Sequence, residues 1–257
     1  MTSQTSFDFR GEVALITGGS RGIGAAISKL FAASGASVII VYREREEAAR
    51  KTLDEIREAG GEARAIRANL VSTDEIRALF ATLESSPAPG IMVHCAALGS
   101  FKPALSLRAN QWDLSMNVNA RAFLLCAQQC AERMSGGGAI LALSSLGASR
   151  VIRSYGAIGI SKAALEATVR YLAAELGSRD IRVNALTAGL VDTESIRTHP
   201  EYAPLSGTDG PRSRWMMDPE AVARVAAFLC SRDASWIQGQ SIVADGGLSL
   251  TLADAKE

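Results

Sequence analysis

The sequence predicts an α/β fold: one domain spanning residues 1–257, built on a doubly wound parallel sheet of about seven strands flanked by helices. Three observations carry that prediction. Short apolar runs rich in β-branched residues alternate with longer helical patterns along the chain. Glycines mark the junctions between them. Hydrophobic residues make up 47% and charged residues 21%, which suits one substantial core. Strand–helix alternation repeated in this way gives parallel strands joined by right-handed crossovers.

The elements follow in order. Val13–Thr17 reads as a first strand, and Ile23–Ser34 as a helix stopped by Gly35. Val38–Tyr42 is a second, buried strand; Glu44–Ala59 is a charged amphipathic helix closed by Gly60 and Gly61. Ala63–Arg67 is a third strand, and Ser72 caps a helix running to about Leu83. Ile91–Cys95 is the fourth strand. Leu105–Met134 holds two helices with a break near Asn110, and Gly136–Gly138 turn the chain into a fifth strand, Ala139–Leu143. Gly159–Gly177 is a long helix, Ile181–Ala185 a sixth strand, Pro219–Leu229 a helix and Ser241–Ala244 a last short strand. The least patterned stretch is Glu194–Arg214. A loop of that length in a compact domain reads as a lid over a substrate, extending over 194–216, with Tyr202, Pro204 and Trp215–Met217 deciding the substrate's shape.

Composition excludes several classes. Lys plus Arg and Asp plus Glu number 27 each, which argues against nucleic acid or a membrane surface as a partner. The four cysteines form no CxxC pair and only two histidines accompany them, so no metal site is expected. Reduced, buried thiols and a polar, mixed Met1–Arg10 point to a cytoplasmic protein. No apolar stretch approaches the roughly 20 residues that span a bilayer.

Thr17-Gly18-Gly19-Ser20-Arg21-Gly22-Ile23-Gly24 lies between the first strand and the first helix. In that context glycine lets the backbone turn sharply and approach a pyrophosphate, and the helix N-terminus offers unpaired N–H groups to the anion. Gly18, Ser20, Arg21, Gly22, Ile23 and Gly24 are therefore candidate dinucleotide contacts. The second strand ends Tyr42-Arg43 without the carboxylate that would hold ribose hydroxyls. With Arg21 and Arg43 both near the adenosine ribose, the expected cofactor is NADPH, because the guanidinium fork suits a 2′-phosphate.

These residues resemble the short-chain dehydrogenase/reductase superfamily, a Rossmann fold, over nearly the whole chain. The resemblance rests on TGxxxGxG at Thr17–Gly24, Asn119 within Met116–Ala120, Ser144-Ser145, Lys162, the segment Val183–Thr193 and Asp245-Gly246-Gly247. The superfamily's usual YxxxK is absent, because Ile158 stands four residues before Lys162. Tyr155 gives Yx6K instead, a spacing similar to the NADPH-dependent type III enoyl-acyl-carrier-protein reductases. That spacing makes chemical sense for an enoyl thioester: hydride goes to Cβ while charge develops on the distant thioester oxygen, so the acid needs a longer reach. The resemblance implies Tyr155 as proton donor, Lys162 as the ribose-binding cation that lowers the phenol's pKa, Ser145 as a second hydrogen-bond donor, and Asn119 as a positioning amide near Lys162. It adds Asn69, Leu70, Ala96, Lys162, Gly189, Val191 and Thr193 to the cofactor's contacts. Three positions depart from the pattern. His94-Cys95-Ala96-Ala97 replaces Asn-Asn-Ala-Gly, Asn69 replaces an aspartate, and Thr187-Ala188-Gly189 lacks the usual proline. His94 reads as a strand-end stand-in for a structural amide.

The implied function is reduction of the C=C bond of an enoyl thioester carried by coenzyme A or by an acyl carrier protein. An acidic carrier would meet Arg150, Arg153, Arg197, Arg212 and Arg214. The alternatives are a ketoreductase or tailoring reductase on the same scaffold, and a non-catalytic NADPH-binding protein. The resemblance also implies a homodimer or homotetramer formed through Leu105–Met134 and Gly159–Gly177, whose apolar residues include Phe123, Leu124, Leu125, Leu165, Val169 and Leu172.

Overall fold

The computed structural model describes residues 7–197 and 215–250. Its central sheet has seven parallel strands in the order β3-β2-β1-β4-β5-β6-β9. These are β1 (Val13–Thr17), β2 (Ser37–Tyr42), β3 (Glu62–Arg67), β4 (Ile91–His94), β5 (Gly138–Ser145), β6 (Ile181–Ala188) and β9 (Ser241–Ala244). A separate pair joins β7 (Leu190–Val191) to β8 (Met216–Met217). The helices are α1 (Gly22–Ala33), α2 (Glu46–Glu58), α3 (Thr73–Ala81), α4 (Ala109–Ser115), α5 (Ala122–Arg133), α6 (Gly156–Leu176), α7 (Glu194–Arg197) and α8 (Pro219–Cys230).

The inner strands are buried on both faces, so they read as continuous apolar runs and not as alternating ones. Two cores result. Helices α1, α2 and α8 pack Phe31, Ile56 and Val222 on one face. Helices α3, α5 and α6 pack Phe80, Phe123 and Leu165 on the other. The strand order reverses between β1 and β4, which opens a crevice outside their carboxyl ends. Among the described residues no helix is long and apolar enough to cross a membrane.

The break expected near Asn110 falls just before Ala109, and α4 then continues through a π-helical turn, Met116–Arg121, into α5. Three other sequence expectations are corrected. The long helix begins at Gly156, not Gly159, because these glycines serve as close-packing surfaces: a Cβ on Gly159 would lie 2.7 Å from the Gly147 carbonyl oxygen. Glu194 opens a helical turn, so the predicted lid is not patternless at its start; its residues 198–214, with Tyr202 and Pro204, lie outside the described residues. Finally, Phe123, Leu165, Val169 and Leu172 face the core, Leu124 and Leu125 lie partly buried against it, and Tyr171 is exposed.

Candidate active site

The crevice begins at the turn between β1 and α1. Gly18 has φ +66°, and a Cβ there would lie 2.8 Å from the Ala96 backbone nitrogen. Gly24 is tighter still, since its Cβ would sit 2.2 Å from the Gly18 carbonyl oxygen. Only glycine lets the two loops approach this closely. The result is a cradle at the N-terminus of α1, opening into a cavity of about 430 Å³. Gly18, Ser20, Arg21, Gly22, Ile23, Gly24, Tyr42, Arg43, Asn69, Leu70, Ala96 and Thr193, all read from the sequence, line that cavity together. Such a cradle fits a pyrophosphate, and the cavity beyond it fits an adenosine. Lys162, Gly189 and Val191 are not on its wall. The Val191 side chain is buried in the α1/α8 core, and Gly189 is pressed against Asp245.

The arginines are arranged differently from the sequence reading. Arg43 pairs with its neighbour Glu44, Nε to Oε1, at 2.9 Å. Arg45, which the sequence reading passed over, lines the same cavity and reaches Glu194 through Nη1 at 2.8 Å, while Arg21 reaches Glu194 at 2.9 Å. The charge pattern opens the helix at Glu44; α2 begins at Glu46, which leaves Arg45 in the loop.

His94 closes β4. Its Nε2 faces the Val118 carbonyl at 3.2 Å, which only accepts, so Nε2 carries the proton and Nδ1 accepts from the Thr17 hydroxyl at 2.9 Å. Burial, with Lys162's charge adding to it, pushes His94 down to about 3. The ring is therefore a neutral strut joining β1, β4 and the π turn. That turn carries Asn119, whose amide grips Leu98 from both sides, accepting from its N–H at 2.9 Å and donating to its carbonyl at 3.0 Å. Asn119 also donates to the Ser161 hydroxyl at 2.8 Å. The amide so ties the loop after β4 to α6, beside Lys162.

Tyr155 is the N-cap of α6. Ser154 before it holds φ 56°, a left-handed conformation uncommon for serine, which turns the chain into the helix. The half-buried phenol ring stands against Gly147 and Phe101, the Phe101 ring centroid lying 5.7 Å away. Burial raises the phenol above its ordinary 10, and the neighbouring Ser145 hydroxyl opposes this. The sequence expectation was a phenol lowered by Lys162; burial dominates instead. Lys162 lies buried on α6, donates to the Leu143 carbonyl at 2.5 Å and is brought down to about 8 by burial, with Cys95 and Glu166 opposing. Ile158, at the position where YxxxK places a tyrosine, is buried against Gly99.

A polar knot not anticipated from sequence lies one layer below. Glu166 Oε1 accepts from Ser144 at 2.6 Å and from Thr187 at 3.2 Å. Ser144 precedes Ser145, Thr187 leads into Gly189, and Glu166 lies one helical turn beyond Lys162. One carboxylate thus links the three segments that carry the site. Among the described residues no His, Cys, Asp or Glu group is placed to hold a metal ion. The four thiols are free, and burial pushes Cys95, Cys126 and Cys230 to about 12.

The sequence profile of a family described as Enoyl-(Acyl carrier protein) reductase matches residues 18–249. The chain belongs to that family, within the short-chain dehydrogenase/reductases. It is an oxidoreductase, and members of its superfamily bind nicotinamide cofactors. The reductase is 38% identical over 259 residues to a 1-cyclohexenylcarbonyl-CoA reductase of Streptomyces collinus, covering 96% of this chain and 92% of that one. It is 32% identical over 261 residues to a versicolorin reductase of Emericella nidulans, covering 96% and 99%. Among solved structures, a 7α-hydroxysteroid dehydrogenase complexed with NADH and 7-oxo glycochenodeoxycholic acid superposes with a TM-score of 0.85 at 32% identity, covering 96% of this chain and 98% of that one. A promiscuous reductase that catalyses keto-reduction in lugdunomycin biosynthesis superposes with a TM-score of 0.86 at 31% identity, covering 94% and 98%.

Proposed function

We propose that this reductase uses NADPH to reduce the C=C bond of an enoyl thioester linked to coenzyme A or an acyl carrier protein. The observation that carries the reading is the placement of Tyr155 at the cap of α6, beside Ser145, with Ile158 filling the position of the YxxxK tyrosine. The likeness to a 1-cyclohexenylcarbonyl-CoA reductase supports it.

A bound reduced nicotinamide supplies the hydride. The chain's own residues do the rest. The Tyr155 phenol, kept protonated by its raised pKa, donates to the thioester oxygen where negative charge develops. Ser145, beside that phenol, turns its one hydroxyl proton to the same oxygen as a second donor. Lys162, charged at neutral pH, holds the ribose, and Asn119 fixes the turn of α6 beside it. Gly189, Val191 and Thr193 supply backbone for the nicotinamide end. Arg21, Arg43 and Arg45 favour the phosphorylated dinucleotide, because β2 ends without a ribose-binding carboxylate. Exposed Arg150 and Arg153 offer a basic rim to an acidic carrier; Arg197 is already paired with Asp192 at 2.6 Å, and Arg212 and Arg214 lie outside the described residues. Self-association would use the outer face of α5 and α6 around Tyr171.

The second reading, reduction of a 3-oxoacyl thioester or another carbonyl, is favoured by the versicolorin reductase and keto-reductase likenesses. Turnover of crotonyl-CoA and acetoacetyl-CoA, each with NADPH and NADH, separates the two. Reduction of crotonyl-CoA with NADPH supports the proposal; reduction of the keto compound alone overturns it. Tyr155→Phe should bind NADPH normally and lose turnover, and full turnover by that variant would remove Tyr155 as the acid.

A further inference from the structure

The carboxylate of Glu194 lies between two guanidinium groups at the mouth of the crevice. Its Oε2 is 2.9 Å from Arg21 Nη1, and Arg45 Nη1 meets Oε1 at 2.8 Å and Oε2 at 2.9 Å. The three residues come from distant parts of the chain: the glycine turn, the loop between β2 and α2, and the start of α7. All three line the same cavity as the cradle.

We infer that Glu194 is a cofactor-selecting residue, its carboxylate holding the arginine pair that the 2′-phosphate of NADPH must capture. The inference rests on the NADPH reading. Carboxylate and phosphate are the two anions that the guanidinium fork accepts best, so a geometry that grips one admits the other. The two cannot share the pair: a phosphate beside an unreleased carboxylate adds like charge to like charge, as in interfaces that reject a partner by repulsion. NADPH therefore binds by exchange, and Glu194 leaves as the phosphate enters. NADH brings no anion to that position and leaves the ion pairs intact.

All three side chains are about half exposed, at 45% for Arg21, 56% for Arg45 and 51% for Glu194. Exposed ion pairs are weak, so the exchange tunes selection without blocking it. Arg21 and Arg45 hold the Glu194 carboxyl below its ordinary range, so the carboxylate is present at neutral pH and the competition does not depend on pH there.

Calorimetric binding of 2′,5′-ADP and 5′-AMP tests the inference without any turnover. Glu194→Gln removes the charge and keeps the side chain's size. It should bind 2′,5′-ADP roughly three- to tenfold more tightly than the unaltered protein, with 5′-AMP changed by less than about twofold. In Glu194→Gln/Arg45→Gln that gain should disappear. An unaltered protein that prefers 2′,5′-ADP, with no gain in Glu194→Gln, overturns the role of Glu194 and leaves the NADPH reading standing. No preference in the unaltered protein, with one appearing in Glu194→Gln, upholds Glu194 as the competitor and overturns NADPH as the natural cofactor. Weaker 5′-AMP binding in Glu194→Gln, with 2′,5′-ADP unchanged, shows the carboxylate serving the ribose hydroxyls and overturns the inference.

Discussion

Gly147→Ala probes how closely the phenol must be held. Gly147 lies outside the left-handed region, so alanine accepts its backbone without strain. The new methyl would stand 2.5 Å from Tyr155 Cδ1 and 2.7 Å from Cε1. Carbon atoms rest comfortably about 3.5–4.0 Å apart, so the ring must withdraw by about 1 Å. The Phe101 ring, with its centroid 5.7 Å from that of the phenol, bounds the space left to it. A displacement of about 1 Å in a reacting group costs about 100-fold in rate. Crotonyl-CoA turnover with NADPH should therefore fall about 100-fold. Cofactor binding, measured by NADPH fluorescence, should hold within about twofold, because the cradle lies at the other end of the crevice. Overpacking of this size costs about 1–3 kcal/mol, seen as a Tm lower by a few degrees. Full turnover in a folded Gly147→Ala would refute the claim that this wall sets the position of the acid.

Three further outcomes follow from the same geometry. Gly24→Ala should abolish dinucleotide binding and lower soluble yield, since its methyl meets the Gly18 carbonyl at 2.2 Å; calorimetry and gel filtration read both effects. Glu166→Gln keeps an oxygen for Ser144 and Thr187 but removes a charge that raises the proton affinity of Lys162, so the alkaline limb of the kcat–pH profile should move to lower pH. Glu166→Leu strands both hydroxyls, should cost about 1–3 kcal/mol in urea unfolding, and should not be rescued by pH. His94 binds no proton in the folded state until about pH 3, whereas the unfolded chain binds one near 6.5. Its stabilising contribution is thus complete above about 6.5 and is lost as pH falls toward 3, at about 1.4 kcal/mol per pH unit. His94→Asn should lose that part of the acid sensitivity, which unfolding free energies at about pH 5 and about pH 7 would reveal.

The central strands and the glycine turn were legible because a doubly buried parallel strand is a continuous apolar run, and because the turn stands between a strand and a helix. Tyr155 stands out by its distance from Lys162, and the structure sets it at the cap of the same helix. The start of α6 was misplaced because glycine weakens a helix locally, and only the contact of Gly159 with Gly147 shows why it is tolerated there. The direction of the phenol's shift was misread because sequence shows which charges exist and not how deeply a ring is buried. Arg45 and Glu194 were invisible as a pair, being 149 positions apart. The Glu166 knot was hidden for the same reason: its serine and threonine come from neighbouring strands whose pairing, Ser144 with Thr187, exists only in the folded sheet.

The snug fit of Ile158 has a corollary. Gly99 faces it so closely that a methyl on Gly99 would come within 2.3 Å of Ile158 Cγ1. Position 99 is therefore closed to any side chain while Ile158 occupies its place, so the two positions are coupled and a change at one constrains the other.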